Sequence, residues 1–214
     1  MRIVEMFEGI QGEGRYVGHP ALFIRLEGCN LNCPWCDTKY AMNLKEGDYK
    51  NIDVRELIGK IMMQPLDMIV WTGGEPMMQY DEIAWVLKTL ERRGVNIINC
   101  LETNGLLALQ SMCIDAHKLF DYICFSPKDK KTAEDLSKLA EITIGVPYDI
   151  KIVTDLDKIG TDLISCATML MPLTTFDKKK DEEIKKKVWN YCIKANIKYS
   201  PRLHVDVWGK KRGV

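Results

Sequence analysis

The sequence predicts an α/β fold: one domain over residues 1–214, built as a partial, open (β/α) barrel with a mostly parallel sheet. Three observations carry this. Short apolar, strand-like runs recur along the chain. Amphipathic helical stripes lie between them. Successive runs are spaced by about 25–30 residues, the length a βαβ unit needs. The 214 residues can bury a sizeable core, and 46% of them are hydrophobic. Thirty Lys and Arg balance thirty Asp and Glu, so there is no bulk attraction to nucleic acid or membranes. No apolar run approaches the ~20 residues of a membrane helix. Met1 to Met6 runs straight into structured sequence without a signal-peptide pattern, so the chain is expected in the cytoplasm.

The first strand of the parallel set is read at 22–26. A helix follows, with Val54, Leu57, Ile58 and Ile61 at i, i+3, i+4, i+7. The next strand, 67–71, runs into Thr72-Gly73-Gly74-Glu75-Pro76. A second helix carries Ile83, Val86, Leu87 and Leu90. The run at 96–101 ends in Glu102-Thr103-Asn104-Gly105, and that at 121–125 ends in Ser126-Pro127-Lys128. Strands are read at 148–154 and at 167–171, the latter ending in Pro172-Leu173-Thr174-Thr175. Ile184, Val188, Tyr191, Cys192 and Ala195 form a third helical stripe. The lysines at 178–180 and 185–187 are interleaved with acids and read as a solvated helix face. Polar residues placed repeatedly at strand C-termini are how an α/β barrel builds one site at one end.

The eight cysteines are expected to stay reduced, which rules against a disulfide framework. Cys100, Cys113, Cys124, Cys166 and Cys192 are scattered in apolar contexts, and Cys100 and Cys124 lie in strand-like runs as small buried hydrophobes. Cys29, Cys33 and Cys36 are different: they form a Cys-x3-Cys-x2-Cys cluster. Structural zinc wants four ligands, and His19 is the nearest candidate for a fourth. Three thiolates suit a four-iron cluster better, leaving one iron open to bind another molecule.

That spacing, with the aromatic Trp35 before the last cysteine, resembles the radical S-adenosylmethionine (SAM) enzymes. Gly73-Gly74-Glu75-Pro76 resembles the loop that holds the SAM amino group in that superfamily. The likeness implies a [4Fe-4S] cluster on Cys29, Cys33 and Cys36, with SAM chelating the open iron and Trp35 near its adenine. It also implies SAM contacts from Ser126, Pro127 and Lys128 and from the late loop Met171, Pro172, Leu173 and Thr174.

The segments Glu5 to Gly14, Gly18 to Leu31 and Cys36-Asp37-Thr38 narrow the family. With the later motifs and the terminal 208–214, they resemble the 7-carboxy-7-deazaguanine synthases over nearly the whole chain. The resemblance implies conversion of 6-carboxy-5,6,7,8-tetrahydropterin to 7-carboxy-7-deazaguanine, with loss of ammonia, on the way to queuosine, archaeosine or other deazapurines. The adenosyl radical takes the hydrogen from C6, the ring contracts, and SAM is regenerated. It further implies Mg2+ at Thr38 and substrate contacts from Ile10, Gln11, Gly12, Glu13, Arg25, Thr72, His204 and Val214. Arg25 offers a planar fork for a carboxylate. A flavodoxin or ferredoxin as electron donor and a homodimer follow from the same likeness.

The chain departs from the family at Met171, where a Gln is usual, at Asn104, where Ser is common, and after Thr38, where Tyr40-Ala41-Met42 lacks a tryptophan. Two other readings stay open. A glycyl-radical-enzyme activase would share the cysteines and the Gly-Gly-Glu-Pro loop, but has no use for Gln11-Gly12-Glu13 with Arg25. A non-enzymatic zinc or iron–sulfur interaction module would explain the cysteines alone.

Overall fold

The structure, a computed structural model, describes residues 1–42, 45, 48–110, 119–143 and 145–214. The strand β1 (Arg2–Ile10) turns back into β2 (Pro20–Leu26) as an antiparallel pair, and the short β3 (Lys50–Asn51) flanks β1. From β2 onward each neighbour pairs in parallel: β4 (Met68–Gly73), β5 (Ile98–Thr103), β6 (Tyr122–Phe125), β7 (Tyr148–Thr154), β8 (Met169–Pro172) and β9 (Lys198–Tyr199). The sheet order among the described residues is β3-β1-β2-β4-β5-β6-β7-β8-β9, so the barrel stays open between its edges. The connections are α1 (Val54–Met62), α2 (Tyr80–Arg92), α3 (Leu106–Gln110), α4 (Lys130–Thr143) and α5 (Lys178–Ala195), with α6 (Leu203–Trp208) after β9. This is the expected partial α/β barrel, with an antiparallel edge added by β1.

Two strands reach further than their apolar runs. β4 includes Thr72 and Gly73, and β5 includes Glu102 and Thr103. Ladder pairing continues past the apolar residues because these strand ends face a polar cavity instead of the core.

The core has two layers, which is why β4 reads as an unbroken apolar run. Ile69 and Trp71 point outward and pack with Leu57, Ile58, Ile61, Ile83, Val86, Leu87 and Leu90 of α1 and α2. Met68 and Val70 point inward and meet Ala21, Cys100, Tyr122 and Cys124 on the concave face. Asp53 caps α1 by accepting from Arg55 N at 2.8 Å, and Asp177 caps α5 by accepting from Lys179 N and Lys180 N. Asn196, at φ 53°, ends α5 in the left-handed conformation.

The third helical stripe is narrower than its sequence suggests. Val188 and Cys192 are buried and Ile184 is half-buried, but Tyr191 and Ala195 are exposed. Helix α5 packs on β8 and β9 at the sheet edge, which covers only a strip of it. Its lysines are exposed except Lys185, which pairs with Asp206 of α6. Cys100, Cys124 and Cys192 are buried free thiols and Cys166 is half-buried, while Cys113 lies outside the described residues. Burial pushes the Cys100 thiol up to about 12, so it is inert.

At the N-terminal ends of the strands, the buried Asp149 accepts from Tyr122 Oη (3.0 Å), Thr168 Oγ1 (2.9 Å) and Lys198 Nζ (2.7 Å) and pairs with Arg15 (3.3 Å). This closes that end and leaves the other for chemistry. Among the described residues no helix is long and apolar enough to cross a membrane.

Candidate active site

The C-terminal strand ends and the loops after them surround a cavity of about 640 Å³. It collects most of the residues singled out in the sequence. Cys29, Cys33, Trp35, Cys36 and Thr38 line it from the loop after β2, and Thr72 and Gly74 from the end of β4. Ser126 and Lys128 follow β6, and Met171, Leu173 and Thr174 come from β8 and its loop. Ile10, Gln11, Gly12, Glu13, Arg25, His204 and Val214 complete the set. Gly73, Glu75, Pro127 and Pro172 do not line it.

The Gly-Gly-Glu-Pro loop is built differently from the expectation. A Cβ at Gly73 would stand 2.2 Å from Leu26 O, and one at Gly74 would stand 1.9 Å from Gly28 O. The glycines therefore make room for the backbone that carries Cys29, to which Gly74 N and Glu75 N donate through Leu26 O (3.1 Å) and Gly28 O (2.7 Å). Glu75 is fully buried. Its carboxylate accepts from Met77 N (3.0 Å), Thr103 Oγ1 (2.7 Å) and Asn104 N (2.7 Å). It is thus a strut between this loop and the end of β5.

One wall is organised by strand register. Glu5, Arg25 and Thr72 stand in one rung across β1, β2 and β4, and Phe7, Phe23 and Val70 stand in a neighbouring rung. The Phe7 and Phe23 rings stack at 5.0 Å. Arg25 Nε donates to Glu5 Oε1 at 2.6 Å, and Tyr40 Oη donates to the same oxygen at 3.0 Å. Its outer nitrogens have no partner among the described residues. The fork is anchored at its base and faces the cavity.

The opposite wall is a chain of alternating charges that sequence reading missed. Asp37 pairs with Arg202, Arg202 Nε with Glu13 (3.1 Å), and Glu13 with Lys151 (2.7 Å); Lys151 also pairs with Glu102 (3.0 Å). Burial works against ionising Glu13, but Lys151 and Arg202 hold its carboxyl well below the usual range. His204 Nε2 lies 3.9 Å from Glu13, and burial lowers its imidazole below the ordinary value.

Gln11 Oε1 accepts from Glu13 N at 3.3 Å, and Gly12 O accepts from Leu203 N at 3.0 Å. Gly12 is needed because a Cβ there would lie 2.4 Å from His204 Nδ1. Ser126 Oγ donates to Lys151 O (3.1 Å) and accepts from Lys128 Nζ (3.1 Å).

The three cluster cysteines are half-buried free thiols. Leu31 N donates to Cys29 Sγ at 3.4 Å. Burial pushes the Cys33 thiol up, and the Lys128 ammonium pulls it back toward the thiolate. Among the described residues no three His, Cys, Asp or Glu converge as the ligands of a single ion must. A four-iron cluster takes one thiolate per iron, so its ligands stand apart around it. Three thiols lining one cavity fit such a cluster. His19, the candidate fourth zinc ligand, bonds to Asp67 at 2.9 Å and does not line the cavity. Thr38 donates to Asp37 Oδ1 (3.0 Å) and lies 3.6 Å from Cys36 Sγ, offering hard oxygens beside the thiols.

Residues 23–209 match the radical SAM superfamily. Over 97% of its length the chain is 31% identical to a 7-carboxy-7-deazaguanine synthase of Hyperthermus butylicus, of which it covers 92%. It is 36% identical, over 78% of its length, to a 7-carboxy-7-deazaguanine synthase of Neisseria meningitidis serogroup B, of which it covers 68%. QueE from Escherichia coli has a similar fold, with a TM-score of 0.58 at 21% identity, covering 95% of this chain and 94% of that one. The radical SAM protein anSMEcpe with bound AdoMet and Kp18Cys peptide gives 0.59 at 15% identity, over 84% of this chain and 63% of that one. Fold and match together define a radical SAM enzyme, a class that works with a [4Fe-4S] cluster and SAM. Within that class the chain belongs to the 7-carboxy-7-deazaguanine synthase family.

Proposed function

We propose that this chain converts 6-carboxy-5,6,7,8-tetrahydropterin to 7-carboxy-7-deazaguanine with loss of ammonia. One observation carries the reading: a single cavity holds the cysteine triplet, an anchored guanidinium and a wall of alternating charges. Cys29, Cys33 and Cys36 hold the cluster, with Gly74, Trp35, Lys128 and the loop of Met171, Leu173 and Thr174 around SAM. Bound there, a reduced cluster and SAM would supply the radical chemistry at C6, which Arg25 and Glu13 would position by holding the substrate. Arg25 pairs with the substrate carboxylate. Glu13, kept ionised by Lys151 and Arg202, accepts hydrogen bonds from the amine and amide edge beside Gln11. A protein-backbone substrate brings no carboxylate for the Arg25 fork, which disfavours the activase reading. A reduced flavodoxin or ferredoxin delivers the electron, and the working unit is a homodimer. An anaerobic assay with carboxytetrahydropterin, SAM, Mg2+ and reductant tests the reading, and no deazaguanine product by absorbance and mass refutes it.

Two expected results test individual roles. Arg25→Ala should weaken substrate binding by about a hundredfold, because a buried carboxylate left unpaired costs on the order of 2–4 kcal/mol. SAM binding and iron content should survive in this variant. Unchanged substrate affinity would remove Arg25 from the assignment.

Thr38 and its neighbour Asp37 offer oxygen ligands that suit Mg2+. A Mg2+ titration of turnover should show strong stimulation in the wild type, a blunted response in Thr38→Ala, and an intermediate one in Thr38→Ser, which keeps the oxygen. Equal responses in all three proteins would make Thr38 a turn residue only.

A further inference from the structure

Arg25 faces the cavity with a carboxylate already set against it. Glu5 stands directly opposite Arg25 in the β1–β2 register, and its Oε1 accepts from Arg25 Nε at 2.6 Å. An anion in that place weakens the pull of the guanidinium on any second anion, so charge alone gives a carboxylate-binding site no reason to keep it. The arrangement is nonetheless built from three segments of the chain. Tyr40, in the turn after the cluster loop, donates its Oη to the same Glu5 oxygen at 3.0 Å. The Tyr40 ring also has Arg25 Cζ 5.7 Å from its centroid and Arg212 Cζ 3.2 Å from it. The Arg25 and Glu5 side chains are only 15% and 23% exposed, so water competes weakly for the pair. Arg25 and Tyr40 line the cavity and Glu5 does not. Whatever Glu5 does to a bound molecule, it does through Arg25.

We propose that Glu5 is a positioning residue for substrate binding: it holds Arg25 by Nε, so that the two Nη groups meet the substrate carboxylate end-on. This rests on the reading of Arg25 as the carboxylate's partner. A guanidinium is a rigid planar fork, and it clamps a carboxylate either through Nε with one Nη or through both Nη groups. Glu5 occupies Nε and leaves the second mode. It also fixes a long, flexible side chain before the substrate arrives, which lowers the ordering cost of binding. Tyr40 fixes Glu5 in turn. A carboxylate clamped from one direction sets the position of the ring that carries it, and small misplacements of a reacting atom cost rate. Direction here outweighs the attraction that the neighbouring charge removes.

Charge and position predict opposite signs, and equilibrium binding of carboxytetrahydropterin to the anaerobic, SAM-loaded protein separates them. Glu5→Met removes the charge and the acceptor at similar length. Glu5→Gln removes the charge but keeps an oxygen for Arg25 Nε. A positioning role makes Glu5→Met bind about tenfold more weakly than the wild type, with Glu5→Gln between the two. A role through charge alone makes both variants bind more tightly and by equal amounts, which would overturn the proposal, as would unchanged affinity in Glu5→Met. A second measurement reads the grip on the guanidinium itself. In Arg25→Ala, millimolar guanidinium ion should restore part of the turnover, because Glu5 remains to hold it. In Arg25→Ala with Glu5→Met the same addition should restore none. Equal rescue in both proteins, or none in either, overturns the proposal. Failure of the underlying reading looks different: the wild type then makes no deazaguanine product, or Arg25→Ala alone leaves substrate affinity unchanged.

Discussion

Cys33→Ala is expected to abolish SAM cleavage and to remove most of the bound iron, from about four per chain toward none. Alanine offers no ligand, and among the described residues no other thiol lines the cavity. Cys100 and Cys124 are buried in the concave floor and Cys192 is on the buried face of α5. His19 is held by Asp67 outside the cavity. The apo fold should survive, because all three cluster cysteines lie outside both core clusters. Iron and sulfide analysis, 5′-deoxyadenosine formation and a thermal melt separate the two consequences. Full iron loading with SAM cleavage in this variant would retire the assignment. Cys29→Ala and Cys36→Ala should behave alike, which a zinc module with a substitutable ligand would not require.

The cluster loop was legible because its information is local: three cysteines and an aromatic within eight residues, with chemistry that follows from their spacing. The parallel strands were legible because burial on both faces leaves continuous apolar runs, as at 68–71 and 122–125. β1 was not read as a strand. Its inward positions are Glu5, Phe7 and Gly9, while Ile3 pairs with Leu26 in the outward core because the register shifts between Ile3 and Glu5. That mixture erases the two-residue alternation on which strand reading depends.

Glu75 shows how a motif can be recognised without its structural partners. The sequence placed a carboxylate beside a ligand loop. It could not show that Thr103 and Asn104 fold back to claim that carboxylate. The charged wall was invisible for a simpler reason: Glu13 meets Lys151 across 138 positions and Arg202 across 189, and Asp37 meets Arg202 across 165. A lysine inside the strand-like run 148–154 was the one available signal. A charge in the middle of a strand buried on both faces must be paired, and its partner had to come from elsewhere in the chain.

That lysine gives the second large effect. Lys151→Met should destabilise the apo protein by about 3–5 kcal/mol, because removing one member of a buried ion pair strands the charge it leaves. Lys151 is 3% exposed and its partners Glu13 and Glu102 are each 18% exposed, so water can do little to replace the ammonium. Two carboxylates that now share a site repel each other, while Arg202 still supports Glu13. The loss has a defined pH window. The folded-state pKa of Glu13 lies below its unfolded value of 4.5, so the stability it contributes is present above that pH and fades as pH falls through the folded value. Without Lys151 that pKa rises, so the gap between variant and wild type should be widest near neutral pH and narrow below about pH 4.5. On the alkaline side, the Lys151 pKa is held above its ordinary value of 10.5, so wild-type stabilisation persists past that pH before it declines. Adding Glu102→Gln to the methionine variant removes one stranded charge and should return part of the stability, a coupling that a double-mutant cycle reads directly. Urea unfolding of the four proteins at pH 4 and pH 7 measures all of this. A loss under about 1 kcal/mol at pH 7 would be the behaviour of a solvent-exposed pair. It would mean that water reaches the three side chains, and that Glu13 owes its ionisation to solvent and Arg202, not to Lys151.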